Sequence, residues 1–346
     1  MKNVLKVLGI IALMAVIGFS MVSCGDDLEP EPDPVPVPIV STGPQWTQAD
    51  TSSINATLKK MSGIAYGNNK FVAVGDDDDK TGKMAYSSDG GVTWATVTDT
   101  GFGEGTGSMA TTKIYAIAYG GSKFVAVGAQ GKMATSSDGT TWAAVASSAF
   151  DTSTAINAIA YGNGKFVAGG YGGKMATSSD GATWEAVTTG AFGTGINSSA
   201  IRAIAYGGSK FVAVGDDGKM ATSSDGATWT PVTTSTFGTS AINAISYGGS
   251  KFVAVGSSGK IATSSDGTTW TAVTTSPFGA IDSIGAIAYG NGKFVAGGQF
   301  ISFAYSTNGT EWTAVNFILS GQTQGIVYGN NKFVAVSYTG QIAYGD

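Results

Sequence analysis

Two residue series, each seven members long, constrain what this chain can fold into. Lysine followed by phenylalanine recurs at Lys70, Lys123, Lys165, Lys210, Lys251, Lys293 and Lys332. Tryptophan recurs at Trp46, Trp94, Trp142, Trp184, Trp229, Trp270 and Trp312, and these are all the tryptophans in the chain. Neighbours in each series stand about 40 to 50 residues apart, the range of one propeller blade. One unit, residues 241–275, reads AINAISYGGSKFVAVGSSGKIATSSDGTTWTAVTT. It divides into four short runs: 242–247 (strand A), 251–255 (B), 260–264 (C) and 269–274 (D). Gly248-Gly249-Ser250, residues 256–259 and Asp266-Gly267 punctuate them. Four antiparallel strands repeated seven times predict an all-β, seven-bladed β-propeller.

The chain ends fit a closed ring. Trp46 precedes the first strand A and has no strands A to C before it. The last unit stops at Asp346 without a strand D. The stretch PQWTQAD, residues 44–50, is therefore expected to supply the missing outer strand, so that N- and C-terminal strands pair and the ring has no open seam. Seven tyrosines end the A strands, at Tyr66, Tyr119, Tyr161, Tyr206, Tyr247, Tyr289 and Tyr328, and are expected to pack blade against blade. A second lysine series, Lys83, Lys132, Lys174, Lys219 and Lys260, opens the C strands. It reads as solvated strand ends rather than as an anion-binding ring.

Composition narrows the chemistry. Among 346 residues, 52 are glycine, 42% are apolar and only 12% are charged, which suits packed β structure and not a disordered chain. The net charge of −5 disfavours nucleic acid, whose phosphates require clustered Lys and Arg. The chain has no histidine and a single arginine, Arg202, so a histidine-containing triad, a histidine metal site and a multi-arginine anion clamp are excluded. A single cysteine, Cys24, excludes an intramolecular disulfide.

Lys2 and Lys6 precede an apolar run over residues 7–22, which reads as a signal peptide. The run ends in Met-Val-Ser-Cys, which resembles a bacterial lipoprotein lipobox, with Met21 in place of the usual leucine. The resemblance implies a signal peptide over residues 1–23, lipidation of Cys24, and a membrane anchor there. Residues 24–43 alternate proline with acidic residues and predict an extended, solvated spacer ahead of a propeller over residues 44–346. The expected location is the bacterial cell envelope: outer-membrane anchored, and surface-exposed or periplasmic.

The unit's SSDGTTW stretch has copies in most blades. Residues 87–94, SSDGGVTW, match Ser-x-Asp-x-Gly-x-Thr-Trp in full. Four further copies are one residue shorter, and residues 306–312, STNGTEW, carry asparagine for the aspartate. The pattern resembles the Asp-box of sialidases and other BNR-like propellers. The resemblance implies a structural role for Asp89 and Trp94, Asp138 and Trp142, Asp180 and Trp184, Asp225 and Trp229, Asp266 and Trp270, and Asn308 and Trp312. The physical reading agrees: a carboxylate accepts backbone N–H groups across a tight turn, glycine permits positive φ, and tryptophan covers apolar area.

Function is expected where the repeats differ. The B–C turns and D–A connections share one face and diverge most. D–A connections carry Phe102, Phe192, Phe237 and Phe278 before glycine, and Phe150 and Phe317 without it. The candidate binding face comprises Asp76, Asp77, Gln130, Tyr171, Asp216, Asp217, Gln299, Phe300 and Tyr338. The acidic run 76–79 has oxygen ligands of the kind calcium takes but lacks EF-hand spacing, so no metal and no cofactor are expected. The leading expectation is a non-catalytic, monomeric binding or scaffold lipoprotein that presents this face to a protein or a glycan. A glycoside hydrolase is the first alternative. It cannot be a sialidase, because one arginine cannot clamp a sialate. Glu104, Glu185 and Glu311 are the only glutamates in the ring, and Asp216 or Asp217 is a partner open to Glu104, though no spacing demands the pair. The second alternative is an assembly factor, since the repeat also resembles the propeller of photosystem II assembly factors.

Overall fold

Each KFVAVG-like run is apolar on both of its faces, so it belongs in a sheet that is covered on both sides. A computed structural model describes residues 44–103, 111–193, 199–299, 303–315, 317 and 319–346. Seven four-stranded antiparallel sheets form seven blades, each ordered A-B-C-D from the inside outward. In blade 3 the strands are Ile156–Gly162, Lys165–Gly170, Met175–Ser178 and Glu185–Val187. The seventh blade combines Thr323–Gly329, Lys332–Ser337 and Ile342–Gly345 with the N-terminal Trp46–Gln48. Trp46 pairs with Gly345, Thr47 with Tyr344 and Gln48 with Ala343, so the expected one-plus-three closure holds. Trp46 also stacks on Phe303 of blade 6, with ring centroids 4.0 Å apart.

The A–B hairpins turn on two residues of positive φ, such as Asn163 at 48° and Gly164 at 76°. That handedness matches the twist of the paired strands. Strand D is shorter than its sequence pattern suggests. In the fifth blade it is only Thr271–Ala272, because Trp270 leaves the ladder to donate its indole N–H to Gly267 O at 3.1 Å. Strand C there starts at Ile261, since the Lys260 N–H closes the B–C turn onto Ser257 O.

No blade has a core of its own. Ala158, Val167 and Met175 of blade 3 are buried together with Phe211, Ala213 and Trp229 of blade 4, and the other interfaces repeat this arrangement. The tyrosine ending each A strand packs at a tilt against the phenylalanine opening its own B strand, with centroids 4.6–4.8 Å apart. Its other face covers the glycine that ends strand A of the preceding blade. A Cβ at Gly162 would lie 2.0 Å from Cγ of Tyr206, and the same holds from Tyr119 over Gly67 round to Tyr66 over Gly329, within 0.1 Å. The glycine is required because a tyrosine ring occupies the place of its side chain.

The C–D turns are built by their aspartates. In blade 4 Asp225 Oδ1 accepts the N–H groups of Thr228 at 2.7 Å and Ala227 at 2.8 Å, and the Ser223 hydroxyl donates to it at 2.9 Å. Trp229 Nε1 donates to Gly226 O at 2.9 Å. Asn308 makes the same turn without a charge, accepting from Thr310 and Glu311 N–H groups at 2.9 Å. The strand C lysines are not simply solvated. Lys132, Lys219 and Lys260 donate to the carbonyls of Phe102, Phe192 and Phe237 at 2.7, 3.3 and 2.7 Å, and so tie each D–A connection to the next blade.

Gly162→Ala forces the Tyr206 ring off its seat and should cost about 1–3 kcal/mol in urea unfolding. Acid should also loosen the turns. The backbone N–H of Thr228, ahead of the N–H of Ala227 and the Ser223 hydroxyl, lowers the Asp225 carboxyl from 3.8 to about 2. Asp138, Asp180 and Asp266 are lowered by the same contacts. A lowered folded-state value stabilises the fold above the unfolded value and ceases to do so below the folded one. Unfolding free energy should therefore be level above pH 4 and fall between pH about 4 and about 2, with a smaller fall in Asp225→Asn.

Candidate functional site at the axial mouth

The inner strands carry the same irregularity in six blades. The A–B register skips one residue, and the extra residue is Ser62, Tyr115, Asn157, Arg202, Asn243 or Gln324. A bulge of this kind leaves its residue unpaired and re-aims the side chain. Gly285 occupies the matching place in blade 6, where a Cβ would lie 2.2 Å from Thr323 O. These seven residues line the axial channel, and the channel opens into a mouth of about 570 Å³.

The mouth opens on the B–C and D–A face. Asp76, Tyr171, Asp216 and Tyr338 of the expected face line it, together with Lys113, Ser257, Ser283 and Gln322. Asp77, Gln130, Asp217 and Gln299 do not. Asp77 clasps its own loop, accepting the Thr81 N–H at 2.9 Å and lying 3.3 Å from Lys83 Nζ. Asp217 accepts the Ser199 hydroxyl at 2.7 Å. Gln130 sits in the short turn Ala129–Gly131 at φ 58°, and the Gln299 N–H donates to Asp282 at 2.8 Å. Phe300, Glu104 and Cys24 lie outside the described residues. The Ser-x-Asp-Gly turns lie at the opposite ends of the strands.

Charge at the mouth is paired. Arg202 Nε bonds Asp216 Oδ1, and Asp216 Oδ2 also accepts the Ala200 N–H at 3.1 Å. Lys113 Nζ lies 3.0 Å from Asp76 Oδ2, off the hydrogen-bond axis, so that buried oxygen has an ionic partner and no hydrogen bond. Burial pushes the Tyr115 hydroxyl above its ordinary range, with Asp76 adding to the shift and Lys113 opposing it, so it stays protonated at neutral pH. Tyr171 and Tyr338 stand at the rim, 55% and 51% exposed. With Ile281 they are the large apolar side chains left exposed among the described residues. No group of three or more His, Cys, Asp or Glu among those residues is placed to hold a metal ion.

The bulge residues are what reading by loops misses. The signal is nonetheless in the sequence. The A strands repeat a nearly constant I-x-A-I-A-Y-G, and x changes from Ser62 to Tyr115, Asn157, Arg202, Asn243, Gly285 and Gln324. Arg202→Met tests whether this position is dispensable for folding. The Arg202–Asp216 pair is partly exposed, so its loss should cost at most about 1 kcal/mol in urea unfolding.

A family model described as the DUF6242 beta propeller domain matches residues 190–326, which take in the whole of blades 4 to 6. No curated protein matches the sequence. Among solved structures, the chain is similar to YCF48 bound to D1 peptide, at 16% identity and a TM-score of 0.64, over 89% of this chain and 96% of that one. It is similar to YCF48 from Cyanidioschyzon merolae at 16% identity and a TM-score of 0.61, over 87% and 98% of the two chains. The WD40 beta propeller domain of Doa1 aligns at 12% identity and a TM-score of 0.62, over 88% and 98%. At these identities the likeness is one of fold, a β-propeller over nearly the whole chain.

Proposed function

We propose that this protein is a non-catalytic binding and scaffold module of the bacterial cell envelope, which takes a segment of a protein partner at its axial mouth. The observation that carries this reading is the pair of half-exposed tyrosines, Tyr171 and Tyr338, beside a polar cavity whose charges are already paired. Tyrosine supplies contact area at low entropic cost, and amides and hydroxyls supply adaptable hydrogen bonds. The fold likeness to YCF48, which has been solved bound to a D1 peptide, supports a peptide-like ligand and an assembly or scaffold role. The lipobox-like Met-Val-Ser-Cys supports an anchor at Cys24, and the Asp-box-like turns support a structural rather than a binding role for the opposite rim.

Glycoside hydrolysis has less support. It needs one carboxyl in a setting that keeps its proton, and among the described residues both carboxylates that line the mouth sit against a cation. Glu185 and Glu311 lie by the C–D turns, away from the mouth.

The test uses the full chain purified in detergent, screened in parallel against a random dodecapeptide display library and a glycan array. Selected peptides should bind the parent protein saturably and lose at least tenfold in affinity to Tyr171→Ala/Tyr338→Ala, with an unchanged melting temperature. Glycan hits without peptide hits would replace the protein partner by a sugar, and peptide binding indifferent to both tyrosines would remove the mouth from the reading. Separately, Cys24→Ser should abolish labelling by a palmitate analogue in a diderm host and release the protein from the membrane fraction.

A further inference from the structure

The ring of bulge residues is chemically divided, and the division locates the ligand. On blades 4 to 7 the polar side chains engage one another. Asp216 holds Arg202, and Arg202 Nη1 reaches Asn243 Oδ1 at 3.4 Å. Asn243 Nδ2 donates to Ile284 O at 3.0 Å and Ser283 Oγ at 3.2 Å. Gln322 Nε2 donates to the same Ser283 Oγ at 3.3 Å, and Gln324 Nε2 to Gln322 Oε1 at 3.2 Å. Gly285 permits this chain, because with no side chain there Gln322 can reach across to blade 6. A connected network of this kind rigidifies a wall and leaves it little capacity for a ligand.

On blades 1 to 3 the situation is the reverse. Ser62, Tyr115 and Asn157 line the same mouth, and their side chains make no hydrogen bond within the described residues. In the same mouth the Asp76–Lys113 pair cancels its own charge, and Tyr171 rises from the B–C turn of the blade that carries Asn157. Polar groups held by a rigid strand and left open towards a cavity are where a ligand gains hydrogen bonds at little reorganisation cost.

We infer that Ser62, Tyr115 and Asn157 form the specificity subsite of the mouth, and that it reads the main chain of an uncharged, extended peptide segment laid across blades 1 to 3. This inference rests on the peptide reading of the mouth given above. The carboxamide of Asn157 presents an NH2 donor group beside a C=O acceptor, the complement of the C=O and N–H of a peptide unit. The hydroxyls of Tyr115 and Ser62, each able to donate or accept, take the neighbouring groups, and Tyr171 covers the apolar side of the same segment. The paired charges leave no net attraction for a charged side chain, so selection falls on main-chain geometry.

The experiment uses single dodecapeptides recovered from the random library on the parent protein, titrated by fluorescence anisotropy against three variants of the full chain. Asn157→Ala and Tyr115→Phe should each weaken binding about tenfold, as expected for hydrogen bonds lost in a partly buried site. Gln324→Ala, on the engaged arc, should change it less than threefold. All three should keep the parent near-native circular dichroism, and the first two the parent melting temperature, because their groups hold nothing in the free protein. Peptides that bind the parent but are indifferent to Asn157→Ala and Tyr115→Phe would overturn this subsite while leaving a peptide-binding mouth in place. A library that yields no peptide on the parent would overturn the peptide reading and the subsite with it.

Discussion

A tyrosine lying on a glycine, repeated around the ring, is the contact on which this molecule depends. Each tyrosine is wedged between the phenylalanine of its own blade and the bare glycine of the preceding one, so no blade can settle without its neighbour. The interaction is large in area, since an aromatic side chain dominates the packing where it is buried, and it is intolerant of any added methyl. It also sets the interblade distance at the inner strands, and hence the width of the axial channel.

Closure follows from the same requirement. A blade whose inner strands are packed on both sides still needs its outer strand. Here the seventh blade takes it from the other end of the chain, through Trp46–Gln48. Stacking of Trp46 on Phe303 fastens that strand to blade 6 as well as to its own sheet. The C–D turns and the strand C lysines then tie the periphery, the first within a blade and the second from a blade to the connection that precedes it. Structural residues thus account for almost everything that repeats.

What remains is the inner bulge, where the backbone is fixed and the side chain is free. In six blades the bulge faces the axis rather than a neighbouring blade, so packing does not dictate its identity; in blade 6 a Cβ at Gly285 would meet Thr323 O, and glycine is required. Six nearly identical strands can therefore carry serine, tyrosine, asparagine, arginine and glutamine there without disturbing the ring. That freedom allows one half of the mouth to stiffen into an amide and ion-pair network and the other half to keep open hydrogen-bonding groups. A rigid scaffold with a variable, solvent-facing position is well suited to recognition and poorly suited to a proton-transfer chemistry that needs an isolated carboxyl.

The repeat period, the alternation of turn residues with apolar runs, and the split seventh unit were enough to specify seven four-stranded blades and their closure, because each reports a local or nearest-neighbour constraint. Part of the mouth was legible in the same way: Asp76, Tyr171, Asp216 and Tyr338 stand in divergent B–C turns, and turn divergence is visible along the chain. Asp77, Asp217 and Gln299 stand in similar turns but bond within their own loops or to the connection beside them, which side-chain geometry decides and turn position does not. Ser62, Tyr115 and Asn157 lie in strands, where an alternating pattern would assign them to packing. Only the register skip in each blade, set by pairing with strand B, turns them to the axis, and only the ring brings residues from separate blades to one cavity. The sequence by itself determined the architecture, since that is a sum of repeated short-range contacts. The tertiary structure decided which residues share the mouth and which of them are left without a partner, since those depend on distances between blades that no single repeat contains.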